Sequence, residues 1–233
     1  MGAVLIDLSK AFDCLPNDLL LAKLSAYGLG IGSLKLMHSY LSNRKHRVRI
    51  GSHLSSWLDI FLGVPQGSIL GPLLFNIFIN DLFYIIQEIS NFADDITLFS
   101  TGTSIDDVNR SLLDLLHILL EWFRYNSMVA NPSKFQLIYP GTFNQNISLQ
   151  INDDINLNNV EEVKLLGIKI DNKLSFIPHV TELCKKSNQK LRALRRVRNF
   201  LSDDQTKILV NSYILSPFNY LSLIHISEPT RPY

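Results

Sequence analysis

Cysteine is scarce in this 233-residue chain: Cys14 and Cys184 stand far apart, form no metal-ligand spacing and point to a reducing compartment. Charge is modest too. Lys and Arg number 22 against 21 Asp and Glu, a formal net charge of +1, so affinity for a polyanion has to come from local clusters. No apolar run reaches the ~18 residues of a membrane span. No signal peptide is recognisable, and Ile6 stands where an N-myristoylation motif places Ser or Thr. The expected location is therefore intracellular, cytoplasmic or nuclear, without a membrane partner. No Gly-Lys-Ser/Thr follows a glycine-rich loop, so a Walker-type phosphate site is absent.

What is present reads as globular, with 46% hydrophobic and 18% charged residues. The length allows a large domain with a smaller appendage. The most telling stretch is Phe92-Ala93-Asp94-Asp95-Ile96-Thr97-Leu98-Phe99, two adjacent carboxylates inside a β-prone apolar run. The Asp pair suits a tight turn between two strands. Like charges ~4 Å apart repel by roughly 4 kcal/mol near a protein surface, which calls for a divalent metal with oxygen ligands. A bare Asp-Asp pair is more often a surface turn, so the remaining chain has to decide.

Val4 to Leu8 is an apolar run broken only by Asp7, as expected of a strand covered on both faces. An unpaired carboxylate at its end is costly without a partner or a metal. Because Ala3-Val4-Leu5-Ile6 starts in mid-core, the chain is expected to be a piece of a longer one. Helices are expected over Asn17–Tyr27, with Gly28 as the stop, and from a Ser33 cap to Leu41. Arg44-Lys45-His46-Arg47-Val48-Arg49 is a basic strand edge suited to a phosphate backbone. Gly63-Val64-Pro65-Gln66-Gly67-Ser68-Ile69-Leu70-Gly71-Pro72 fixes its own backbone and feeds a helix with an inner stripe of Leu73, Leu74, Ile77, Phe78, Leu82 and Ile85. A capping box of Ser104 and Asp107 opens a long helix to Asn126, with Val108, Leu112, Leu115, Leu119 and Trp122 or Phe123 inside. Short strands fill 147–174. A helix from Val180 to Phe200 carries seven cations in fourteen residues (Lys185, Lys186, Lys190, Arg192, Arg195, Arg196 and Arg198). One more helix is expected over Asp203–Tyr220.

In this order the motifs resemble the palm of a reverse transcriptase of the non-LTR, LINE- or jockey-like kind. The Leu5-to-Asp13 stretch around Asp7 is similar to the first palm motif. Gly63 to Phe75 resembles the second, and Ile79 to Leu82 and Phe92 to Asp95 continue the likeness. Asn131-Pro132-Ser133-Lys134 and Leu166-Gly167-Ile168 resemble later palm motifs, and His179 onward the thumb entry. The resemblance implies an α+β right-hand polymerase palm, an antiparallel sheet packed on helices, with a helical thumb and fingers largely missing. Residues 1–178 would be palm with a fingers remnant, 179–221 thumb-like, and 222–233 a tail foreign to the domain.

The implied function is RNA-directed DNA synthesis, a nucleotidyl transfer from dNTPs to a DNA primer on an RNA template. The alternative is a catalytically inactive nucleic-acid-binding remnant of a retrotransposon. By resemblance, Asp7, Asp94 and Asp95, with the backbone of Leu8, would hold two Mg²⁺ ions, or Mn²⁺ in their place. Phe12, Gln66, Gly67 and Lys134 would meet the nucleotide. Arg44, Lys45, Arg47, Arg49, Leu166, Gly167, Lys185, Lys186, Lys190, Arg192, Arg195 and Arg196 would meet nucleic acid.

Overall fold

The computed structural model describes residues 1–141, 147–152 and 155–220. Strand β1 (Gly2–Asp7) leads through a single 3-10 turn to helices α1 (Asn17–Ala26) and α2 (Ile31–Leu41). Strands β2 (Arg44–His46), β3 (Arg49–Ile50), β4 (His53–Leu54) and β5 (Leu58–Ile60) then form a two-tier hairpin, β2 on β5 and β3 on β4. Helices α3 (Leu70–Ile79) and α4 (Leu82–Ile85) precede the hairpin of β6 (Ile89–Phe92) and β7 (Asp95–Ser100). The long α5 (Ile105–Tyr125) returns the chain to β8 (Gln136–Ile138). Two small hairpins follow, β9 (Ser148–Gln150) with β10 (Asn156–Asn158) and β11 (Glu162–Leu165) with β12 (Ile168–Asp171). The second long helix, α6 (Ile177–Val197), precedes α7 (Asp203–Leu209) and α8 (Ser216–Asn219).

The central sheet runs β6-β7-β1-β8, antiparallel throughout. Strand alternation sends Val4, Ile6, Ile96, Leu98 and Leu137 to one face, where they join Phe78, Leu112 and Leu116 from the helices in the main core. Ala3 and Ile138 point the other way and pack with Val163 of β11, beside Leu5, Phe99 and Ile170. The sheet is thus covered by helices on one side and by the β11–β12 hairpin on the other. That is why β1 reads as a nearly unbroken apolar run, and the expected α+β architecture is what forms.

Several local expectations need correction. Helix α2 starts at Ile31 behind Gly30, so Ser33 lies inside the helix and caps nothing. In α3 and α4 the buried set is Leu74, Phe75, Phe78, Ile79 and Leu82, while Leu73 and Ile85 are each 54% exposed. The segment is apolar nearly all round, so its periodicity carries no contrast with which to set a phase. Pro72 is tolerated because its missing N–H falls in the first helical turn. Leu116, not Leu115, fills the inner stripe of α5. Its cap is half a box: Ser104 Oγ accepts from Asp107 N at 3.1 Å, but the Asp107 carboxylate accepts from Thr103 Oγ1 and pairs with Arg110. The helix expected over Asp203–Tyr220 forms without interruption through Asn219, as α7, a π-helical stretch Val210–Leu215 and α8, with Pro217 in the first turn of α8 rather than at a stop. No helix among the described residues is long and apolar enough to cross a membrane. The tail expected from 222 onward lies outside the described residues.

Candidate active site

Strand pairing builds the centre of the site. β1 and β7 are antiparallel in a register that sets Asp7 directly opposite Asp95, where Cβ atoms stand about 5 Å apart. Phe92 pairs with Asp95, so Ala93-Asp94 is a two-residue hairpin loop, made possible by Ala93 at φ 55. Asp94 therefore occupies the tip and Asp95 the first residue of β7. By alternation Asp7 shares a face with Ala3 and Leu5, and Asp95 with Thr97 and Phe99. This is the face toward β11–β12. Between them lies a cleft of about 320 Å³ whose lining includes Asp7, Asp95, Thr97, Lys134, Gln136 and Lys164.

The position of Lys134 follows from an interruption in the sheet edge. Residues 129–131 run beside 7–9, with Ser9 N donating to Val129 O, a Leu8–Ala130 bridge, and Asn131 N donating to Asp7 O. Pairing resumes at Gln136 opposite Leu5. Between the two, Pro132 cannot donate to the ladder and the chain turns through Pro132–Lys134. The detour sets the Lys134 ammonium 2.8 Å from Asp7 Oδ2.

Three carboxylates this close repel one another. Burial, then the charges of Asp94 and Asp7, push the Asp95 carboxyl above its ordinary value of 3.8. Between 3.8 and the raised value the folded form binds the proton more tightly than the unfolded form, so stability falls as pH climbs through that window. At neutral pH the penalty is fully present. Asp95→Asn should therefore stabilise the metal-free protein at pH 7, by about a few tenths of a kcal/mol given how exposed and screened the group is. Urea unfolding at pH 7 and at pH 3 checks this: the gain should shrink at the lower pH. A less stable variant at pH 7 would show that the carboxylate makes a favourable contact instead.

Among the described residues no three His, Cys, Asp or Glu side chains converge as a preformed metal cluster. The donor set nonetheless suits a hard divalent cation, being all carboxylate oxygen. The Lys134 ammonium on Asp7 also marks a place where positive charge is accommodated.

The glycine-rich loop docks on the segment after β1. Gly63 N donates to Leu15 O at 2.7 Å and Val64 N to Phe12 O at 2.9 Å. Gln66 Nε2 donates to Asp13 Oδ1 at 2.7 Å. Ser68 Oγ closes the loop, donating to Pro65 O and accepting from Gly71 N. Gly67 has φ +79 and nothing within 4 Å of where a Cβ would stand, so its backbone is open to close approach. Phe12 stacks on Phe75 with ring centroids 4.5 Å apart. It also lines a cleft with Pro72, Asn76, Asn91 and Phe92, distinct from the one that holds Asp7 and Asp95.

Leu166-Gly167 is the two-residue turn joining β11 to β12, with Leu166 at φ 47 and Gly167 at φ 88. Tyr220 Oη donates to Leu166 O at 3.0 Å. The basic residues divide into two groups. Arg44 is spent on the fold, its guanidinium donating to the carbonyls of Leu41, Leu62 and Gly63. Lys190 is likewise occupied, donating to Tyr213 O with its ammonium 4.4 Å from the Tyr213 ring. Lys186 pairs with Glu182, which Lys186 and Lys169 together hold at a pKa of about 2. Lys185, Arg192, Arg195 and Arg196 are exposed along α6.

Comparison with known proteins decides the family. The model for Reverse transcriptase (RNA-dependent DNA polymerase) matches residues 2–170. The chain belongs to the reverse transcriptase family. It is 30% identical over 218 residues to a probable RNA-directed DNA polymerase from transposon BS of Drosophila melanogaster, covering 85% of this chain and 23% of that protein. It is 29% identical to the RNA-directed DNA polymerase from mobile element jockey of Drosophila funebris, covering 93% and 25%. The chain thus spans about a quarter of the length of these relatives. Apo telomerase from Candida tropicalis shares the fold at a TM-score of 0.52 and 11% identity, over 73% of this chain and 31% of that one. In reverse transcriptase terms the four-stranded sheet with its helices is the α+β palm. Sequence reasoning missed Lys164, a lone strand lysine that only the β11–β12 packing brings to the carboxylates. It also missed the Asp13–Gln66 bond.

Proposed function

We propose that this chain carries the catalytic palm of an RNA-directed DNA polymerase that extends a DNA primer with dNTPs on an RNA template. The observation that supports this most is the β1–β7 register, which holds Asp7 and Asp95 face to face with Asp94 on the adjoining tip. Asp7, Asp94 and Asp95, with the Leu8 carbonyl as a further ligand, would hold two Mg²⁺ or Mn²⁺ ions. Bound there, such ions supply a lowered pKa for the primer 3′-hydroxyl and neutralisation of the triphosphate and leaving pyrophosphate.

The chain's own residues orient the reactants. Phe12, held by Phe75, forms a wall at the sugar 2′ position. Gln66, fixed by Asp13, and the open backbone of Gly67 meet the nascent base pair. Lys134 stands at the carboxylates as the proton donor to pyrophosphate. The Leu166-Gly167 turn grips the primer end, and Lys185, Arg192, Arg195 and Arg196 follow the duplex backbone. In this reading 1–178 is palm with part of the fingers and 179–221 is thumb, and the substrates place the enzyme in the cytoplasm or nucleus. Primer extension with Mg²⁺ on an RNA template, by this chain and by one extended upstream, tests the proposal. Template-dependent dNTP incorporation is expected, and its absence from both chains would refute the reading.

A further inference from the structure

The hairpin of β2 to β5 has a chemistry that the carboxylate site does not use. Residues 44–60 hold four Lys or Arg and two His against one acidic residue, Asp59, which is itself paired with Lys45 at 3.4 Å. Apolar side chains stand out in water among these cations, including Val48, Ile50 and Leu58. Trp57 is 56% exposed, and the Arg47 guanidinium lies 4.4 Å from its ring. One face of the indole is therefore fixed by a cation while more than half of the residue stays open. A cleft of about 660 Å³, lined by Arg44, His46, Phe61 and Leu62, runs from the base of the hairpin to Asp13 and Gln66.

We infer that Trp57 is a stacking platform for an unpaired base of single-stranded RNA, with Lys45, Arg47 and Arg49 holding the flanking phosphates. Exposed aromatics interleaved with cations are what single-stranded nucleic acid requires, since every base offers a π-face and every linkage a charge. A duplex keeps its bases stacked and presents none to an indole. Excess positive charge favours a polyanion over an apolar protein surface as the occupant. Naming RNA rests on the proposed function, in which the unpaired strand that reaches the enzyme is an RNA template.

The chain reports on this site itself. Of its two tryptophans, Trp122 is 5% exposed in the core, so a change in indole fluorescence on adding an oligonucleotide comes from Trp57. Titrating the intact chain with a uridine dodecamer at low salt should quench the emission saturably, and a blunt duplex should not. Trp57→Ala should lose the quench and weaken binding of a labelled uridine dodecamer roughly 5- to 100-fold, the range for one lost base–aromatic stack. Trp57→Phe keeps a ring and should hold affinity near the parent while abolishing the signal. Trp57 is outside the core, so either variant should fold. The quench needs neither metal nor turnover, so its failure and the failure of primer extension are read separately. No quench, unchanged affinity in Trp57→Ala, or a response to a thymidine deoxy-dodecamer but not to the uridine one would overturn the assignment.

Discussion

Asp94→Asn is expected to cut dNTP incorporation by roughly a thousandfold, the scale on which losing a group that stabilises transition-state charge acts. Asp94 lies exposed on a hairpin tip, so the change removes charge without emptying any packed volume. Stability should stay within about 0.5 kcal/mol of the parent. The assay is primer extension on an RNA template with Mg²⁺, using the chain extended upstream, with unfolding measured on the same variant. Asp13→Asn is the informative companion, because Asp13 bonds Gln66 and stands apart from the Asp7–Asp95 pair. It should cost far less. Activity of Asp94→Asn within tenfold of the parent would remove this carboxylate from the chemistry.

Gly63→Ala should be among the most damaging single changes to the fold. Gly63 has φ +77, and an ideal Cβ there would lie 2.6 Å from the Asp13 Cα and 2.7 Å from that residue's carbonyl carbon and oxygen. The obstacle is backbone, which cannot swing aside as a side chain can. Left-handed strain and overpacking each cost about 1–3 kcal/mol, so roughly 4 kcal/mol is expected together. Relief would also push away the segment that carries Phe12 and Asp13, disturbing the site as well as the core. Gly67→Ala is the control, since Gly67 has φ +79 but open space around it. It should lose only about 1–2 kcal/mol, for the strain alone. Urea unfolding of the two variants checks both the size and the order. Equal losses would mean that the Asp13 backbone can yield.

Much of the fold was legible because its signals are local. β1 is covered on both faces and so reads as an unbroken apolar run; α5 is amphipathic and shows its stripe; Gly28 and Ser104 punctuate where they should. The inner stripe of α3 and α4 was read correctly at Leu74, Phe78 and Leu82 but not at Leu73 and Ile85, because a helix apolar on all sides gives little contrast and packing against α1 and α5 decides which side is inner. Motif order singled out Asp7, Asp94 and Asp95 as candidates, but not the register that sets Asp7 opposite Asp95, since the two meet only through sheet pairing. The Lys134–Asp7 bond spans 127 positions and depends on a detour at Pro132 that composition does not announce. Charge counting also overestimated the free cations. Arg44 and Lys190 look like their neighbours in sequence, yet backbone carbonyls claim both.

The central claim is that Asp7, Asp94 and Asp95 together hold divalent metal, and direct Mn²⁺ binding tests it without reference to turnover. Titration of the intact chain, followed by the paramagnetic resonance of free Mn²⁺, should give saturable binding that Mg²⁺ competes away. Each of Asp7→Asn, Asp94→Asn and Asp95→Asn should weaken that binding by roughly tenfold or more, as expected when one anionic oxygen ligand of a hard cation is lost. Mn²⁺ affinity unchanged in all three variants would contradict the account.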